Sequence, residues 1–201
     1  MGVPCLFKEI VRSCPSIMLP FEPAKQRGIN YLYIDANSLV YDAVRDLGVD
    51  AQTDSVITTT IEKIELLIKL VSPEHLTLVA FDGVVPMGKM IQQRSRRLKR
   101  VLEATNSGWD TIQITPGTEF MSELDRRTQS TLSSPTVVIS GSNEPGEGEH
   151  KIFHHIRENC KPESEIIVYG LDADLILLSL SIVSRVSYVY LLRDTPTFIQ
   201  S

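Results

Sequence analysis

Glu144, Glu147 and Glu149 fall within six residues, inside the stretch GSNEPGEGEHKIFHHI (141–156), just ahead of an amphipathic helical pattern. Negative charge at a helix N-terminus is favoured by the helix dipole and by free N–H groups. On its own, then, the crowding marks only a helix start. Its meaning changes with the other acidic residues. Asp35 closes the β-rich run INYLYIDA, Asp82 closes EHLTLVAFDG, and Asp172 and Asp174 close SEIIVYGLDAD. Glu147 and Glu149 follow a further run of the same kind, PTVVISGS. All six positions come at the carboxyl ends of predicted strands, the edge where open parallel sheets bind ligands. Asp35, Asp82, Glu147, Glu149, Asp172 and Asp174 are therefore the candidate catalytic and metal-ligating residues. Glu144 lies earlier in its loop and takes no role.

Carboxylates gathered in one crevice repel one another unless a cation neutralises them. Oxygen-only donors suit Mg²⁺ or Mn²⁺ rather than zinc. A set this large can hold two such ions, which activate a water and stabilise the leaving oxygen in phosphodiester cleavage. Singly, each motif has an ordinary structural reading. DAN caps a helix, FDG makes a turn, and GLDAD is a capping loop. Their coincidence at one edge points to a metal centre.

A second group is cationic. In GKMIQQRSRRLKR (88–100), Lys89, Gln93, Arg96, Arg97 and Arg100 are spaced i, i+4, i+7, i+8, i+11, with no acidic residue before Glu103. On a helix this spacing gathers them within about a third of the circumference. Guanidinium groups bind phosphate in bidentate fashion, and lysine and glutamine fill the remaining oxygens. The same residues also read as a solvated helix face, and RRLKR as a nuclear-import signal. Beside an acidic crevice, a pocket for a terminal phosphate is the reading chosen. The combined chemistry is metal-assisted hydrolysis of a nucleic acid held by its end.

These groups need a scaffold that brings strand ends together. Helical patterns occupy about 37–47, 54–72, 88–105, 119–132, a stretch from the acidic motif to about 158, and 175–182. The second carries Ile57, Ile61, Ile64, Leu67, Ile68 and Val71 along one face, with Asp54 or Ser55 as its cap. A fifth strand is expected at 185–194. Alternating strands and helices predict an α/β fold, a mostly parallel sheet with helices on both faces. Across 201 residues, 42% apolar content is ordinary for a globular chain. The net charge of −5 excludes a generally basic nucleic-acid coat but leaves room for a local basic pocket. Three cysteines without metal-ligand spacing, no signal pattern and no membrane-length apolar run predict an intracellular protein, cytoplasmic or nuclear, without membrane partners.

MGVPCLFKEI, YIDANSLVYD, FDGVVPMGKMIQQRSRR, ITPGTEFM, SGSNEPGEGEHKI and YGLDADLILLSL resemble, in order and over nearly the whole chain, the N-terminal region of the Xrn-type 5′→3′ exoribonucleases. The resemblance implies a single nuclease domain over 1–201, akin to PIN and flap nucleases. It implies that Asp35, Asp82, Glu147, Glu149, Asp172 and Asp174 ligate divalent metal, and that Lys89, Gln93, Arg96 and Arg97 hold a 5′-monophosphate. Tyr41 stands where the family usually has a histidine that stacks on the terminal base; a tyrosine ring stacks as well. The implied substrate is single-stranded RNA with a 5′-monophosphate, degraded to mononucleotides. Family members are longer and draw a further metal-site aspartate from downstream sequence. A partner chain or a further C-terminal region is thus expected to complete the site. The alternatives are an RNA-binding or scaffolding homologue without turnover, and a flap-type DNA nuclease.

Overall fold

The structure is a computed structural model that describes residues 6–21, 28–91, 94–95 and 109–193. Its centre is a five-stranded sheet in which every pairing is parallel. The strands are β1 (Tyr31–Asp35), β2 (Leu76–Ala80), β3 (Val137–Ser140), β4 (Glu165–Tyr169) and β5 (Tyr188–Leu192), in the order β3-β2-β1-β4-β5. The sequence leads to a mostly parallel sheet; the sheet is wholly parallel.

The strands read as nearly continuous apolar runs because the central ones are covered on both faces. Leu32 and Ile34 of β1 point to one side, with Val79 and Ile167 from β2 and β4. There they meet α2 (Ala36–Leu47), α3 (Thr53–Val71) and α4 (Glu119–Thr131) through Leu39, Ile57, Ile64 and Leu124. Tyr33, Leu78 and Ile166 point to the other side, where Ile152, Phe153 and Ile156 of α5 (Gly148–Asn159) and Leu175 of α6 (Asp174–Leu180) cover them. The first crossovers therefore run over one face and the later ones over the other. Strand order reverses between β1 and β4, and the carboxyl edge at such a reversal opens a crevice.

Element ends shift from the sequence expectation, and one helix is added. α3 begins at Thr53, with Gln52 in the cap position and no side-chain cap; Asp54 sits in the first turn and pairs with Arg127. The expected strand 164–174 stops at Tyr169, and Gly170 to Ala173 form the turn into α6. An additional helix, α1 (Leu6–Ser13), precedes the sheet, and its Phe7 ring lies 4.2 Å from the Arg193 guanidinium. The basic helix starts within residues 87–91. Most of its expected span, with Gln93, Arg96, Arg97 and Arg100, lies outside the described residues. No helix among the described residues is long and apolar enough to cross a membrane.

Candidate nuclease centre

Register places the first two carboxylates side by side. Asp35 at the end of β1 pairs with Ala80 at the end of β2, so Asp82 emerges next to Asp35. Asp82 is then held from two directions. The Gly148 N–H donates to its Oδ1 at 2.7 Å, and Asn37 Nδ2 donates to its Oδ2 at 2.8 Å. The Asp82 N–H returns a bond to Asn37 Oδ1 at 3.1 Å.

Two glycines permit this approach. A β-carbon on Gly148 would lie 3.0 Å from Asp35 Oδ1 and 3.1 Å from the Ala80 carbonyl oxygen. One on Gly83 would lie 1.7 Å from the Glu144 carbonyl oxygen, deep inside van der Waals contact. That crowding reflects how the 141–147 loop lies against the exit of β2, where Gly83 N–H donates to Gly146 O at 2.8 Å and Gly146 N–H donates to Val84 O at 2.9 Å. Behind the loop, Lys151 Nζ donates to the carbonyls of Phe81 and Gly141, each at 2.8 Å, tying the exits of β2 and β3. Buried Asp125 accepts from the Ser142 N–H and hydroxyl at 2.8 and 2.7 Å. Glu144 accepts from the Ser140 hydroxyl.

The opposite wall comes from α5 and the β4–α6 turn. Glu147, buried, occupies the N-cap position of α5, and Glu149 lies in its first turn. Asp174 N–H donates to Asp172 Oδ1 at 3.1 Å, which closes the turn into α6. Carboxylate oxygens of Glu149, Asp172 and Asp174 lie within 4.8 Å of one another, and Glu147, Glu149 and His150 form a second group at the same spacing. Glu149 belongs to both.

Electrostatics follow from this crowding. Asp35 is pushed well above the usual carboxylate range by burial and by Asp82, Glu149 and Asp172. The nearby Asn37 N–H offsets this only in part, and Asp35 makes no side-chain cap bond to α2. Glu149 rises to about 7 through burial and the charges of Glu147, Asp172 and Asp174, against the pull of Lys89. Asp82 is raised by burial and Glu147, opposed by the Gly148 N–H and by Lys151 and Lys89. Lys89 Nζ donates to Glu147 Oε2. Burial works against its charge, but Glu147, Glu149 and Asp174 outweigh that and raise its pKa.

All six sequence-predicted carboxylates thus converge on one edge. A crevice of about 630 Å³ opens beside them, lined by Asp35, Asn37, Tyr41, Arg45, Asp82 and Asp172 among others. Tyr41 is in the crevice wall. Lys89 stands against Glu147, so the start of the basic helix touches the acidic group. Two residues escaped the sequence reading. His150 Nδ1 lies 3.4 Å from Glu147 Oε2 and 3.6 Å from Glu149 Oε1; its i+3 and i+1 spacing from those glutamates was the available signal. Asn37 read as a cap, and nothing in sequence linked it to Asp82.

Carboxylates that raise one another's pKa are a donor set compatible with a divalent cation. An α/β sheet carrying such a set at its carboxyl edge places it where parallel sheets bind ligands. Residues 1–195 match the family described as "XRN 5'-3' exonuclease N-terminus", and the chain belongs to it. It is 32% identical to human "5'-3' exoribonuclease 1" over 232 aligned positions, which take in 98% of this chain and 14% of the relative. The Saccharomyces cerevisiae protein of the same name is 31% identical, over 98% of this chain and 15% of its own length. The Drosophila melanogaster "5'-3' exoribonuclease 2 homolog" is 30% identical, over 90% and 27%. The chain therefore spans between about a seventh and a quarter of these relatives.

Proposed function

We propose that this chain is the metal-dependent nuclease domain of a 5′→3′ exoribonuclease acting on RNA with a 5′-monophosphate and releasing mononucleotides. The observation that carries the reading is the meeting of Asp35, Asp82, Glu149 and Asp172 at the β1/β4 reversal, where their mutual repulsion is left for a cation to relieve. Asp35, Asp82, Glu147, Glu149, Asp172 and Asp174 would hold Mg²⁺ or Mn²⁺, as two ions. When bound, the metal supplies an activated water and charge stabilisation for the leaving oxygen.

The chain's own residues do the rest. Lys89, with Gln93, Arg96, Arg97 and Arg100, receives the terminal phosphate. The contact of Lys89 with Glu147 supports a phosphate pocket contiguous with the metal centre. Tyr41 offers a ring to the terminal base from the crevice wall. A downstream segment or a partner chain adds further acidic and aromatic groups.

The test is a time course on 5′-monophosphate and 5′-hydroxyl RNA of one sequence, with Mg²⁺, Mn²⁺ or EDTA. Metal-dependent nucleotide release from the phosphorylated RNA alone, lost in Asp172→Ala, is expected. Binding without release, unchanged when downstream sequence is restored, would instead support an RNA-binding homologue. Preference for branched DNA would support a flap-type nuclease.

A further inference from the structure

We propose that Asn37 is a positioning residue for the metal centre, acting through Asp82. This rests on the nuclease reading above and adds a residue that the acidic pattern does not contain.

Asn37 is the second residue of α2, two positions after Asp35 on the β1–α2 turn. Its side chain is not spent on its own helix. It crosses to the neighbouring strand exit, where its amide and Asp82 exchange two hydrogen bonds, at 2.8 and 3.1 Å. The orientation of the amide is fixed by chemistry. An ionised carboxylate only accepts, and a backbone N–H only donates, so Nδ2 must face Oδ2 and Oδ1 must face the Asp82 N–H. Together with the Gly148 N–H on Oδ1, each oxygen of Asp82 accepts one hydrogen bond and keeps a lone pair for a cation.

The residue type matters. A lysine or arginine here would neutralise Asp82 and compete with the metal, and an aspartate would repel it. A neutral amide orients the carboxylate without altering the charge of the centre. Asn37 also links two ligands of different strands, since Asp35 and Asp82 are joined through the turn that carries it. Outer partners of this kind set ligand orientation, and their loss lowers metal affinity about 10- to 100-fold.

The experiment is Mn²⁺ binding to the whole 201-residue chain, followed by calorimetry, for wild type, Asn37→Ala, Asn37→Ser, Asp82→Ala and the Asn37→Ala/Asp82→Ala double variant. Serine keeps a residue suited to a first helical turn but is too short to reach Asp82. Both Asn37 variants should bind Mn²⁺ about 10- to 100-fold more weakly, while their melting temperatures in EDTA fall by only about 2–4 °C per lost kcal/mol. The double variant should bind no more weakly than Asp82→Ala, because Asn37 has nothing left to position. Wild-type affinity in the Asn37 variants, or losses that add in the double variant, would overturn the proposal. Failure of the nuclease reading looks different: the wild-type chain would bind no Mn²⁺, and both ideas would fall together.

Discussion

Two polar clusters lie against the same sheet and solve burial in opposite ways. At the carboxyl edge, carboxylates crowd together. On the face covered by α5, the Tyr33 hydroxyl sits 3.0 Å from His155 Nδ1 and 3.1 Å from Cys160 Sγ. Burial drives every member of the second cluster toward its neutral form. It raises the Tyr33 phenol, helped by Cys160; it lowers the His155 imidazole against Glu158; and it raises the Cys160 thiol against the Tyr33 hydroxyl. Those neutral groups satisfy one another. In the crevice, Asp35, Asp82 and Glu149 are also pushed toward neutrality, but each by burial together with other carboxylates. Lys89 offsets part of this for Asp82 and Glu149, and Lys151 for Asp82, yet all three carboxylates stay raised. A polar cluster complete in itself is structural, whereas one that needs protons or a cation from outside is a candidate for chemistry.

The largest expected effect tests the incomplete cluster directly. Asp172→Ala removes a carboxylate that faces both Asp35 and Glu149. RNA cleavage should fall by about 10³-fold, the scale for losing one charge-stabilising group in a reaction centre. Single-turnover rates at saturating Mn²⁺ measure this, and an unchanged rate would place the chemistry elsewhere.

Next in size is a pH effect, and the two clusters carry opposite signs. The folded pKa of Glu149, about 7, lies above its ordinary carboxylate value. The folded state therefore holds more protons than the unfolded one between about pH 4.5 and 7, and metal-free stability falls as pH rises through that window. The shift of Glu149 alone corresponds to about 3 kcal/mol. His155 is lowered, so its contribution is lost as pH falls below the ordinary histidine range near 6.5. Urea melts in EDTA from pH 5 to 8 should show the acidic slope dominating. Saturating Mn²⁺ should reverse it, because metal competes with protons for the same oxygens.

The contrast between the clusters also explains what the sequence could reveal. Each crevice carboxylate ends a strand or opens a helix, so its position follows from local pattern plus the rule that parallel strands share an edge. Five strands and the helices from α2 onward were legible for that reason, with ends shifted where Gly170 stops β4 or Gln52 takes the cap of α3. Tyr33 could be read as buried, but its partners lie 122 and 127 residues away. His155 is half-buried against Tyr33. Asn37 was illegible as a clamp for the same reason, since Asp82 stands 45 residues on. α1 had a readable apolar spacing at Leu6, Phe7, Ile10 and Val11 but no strand beside it to give it a place in the alternation.

A smaller effect should follow from closing the space between Asp35 and Asp82. Gly148→Ala puts a methyl 3.0 Å from Asp35 Oδ1 and 3.1 Å from the Ala80 carbonyl. Backbone at β2 cannot yield easily, so a cost of about 2 kcal/mol is expected from overpacking. Mn²⁺ affinity should drop as well, because the Gly148 N–H that holds Asp82 must move. Calorimetric binding and thermal melts of one sample separate the two losses.

The smallest effect tests the complete cluster. Tyr33→Phe removes the hydroxyl that joins His155 to Cys160, leaving the ring and its packing in place. Stability should fall by about 1 kcal/mol, the net value of one buried hydrogen-bonding group. Mn²⁺ affinity should stay at the wild-type level, because no crevice carboxylate touches Tyr33. A large loss of metal binding in this variant would break the division between the clusters and make the sheet itself the coupling element. An unchanged affinity with a lowered melting temperature keeps the division: packing chemistry on the α5 face, cation chemistry at the carboxyl edge.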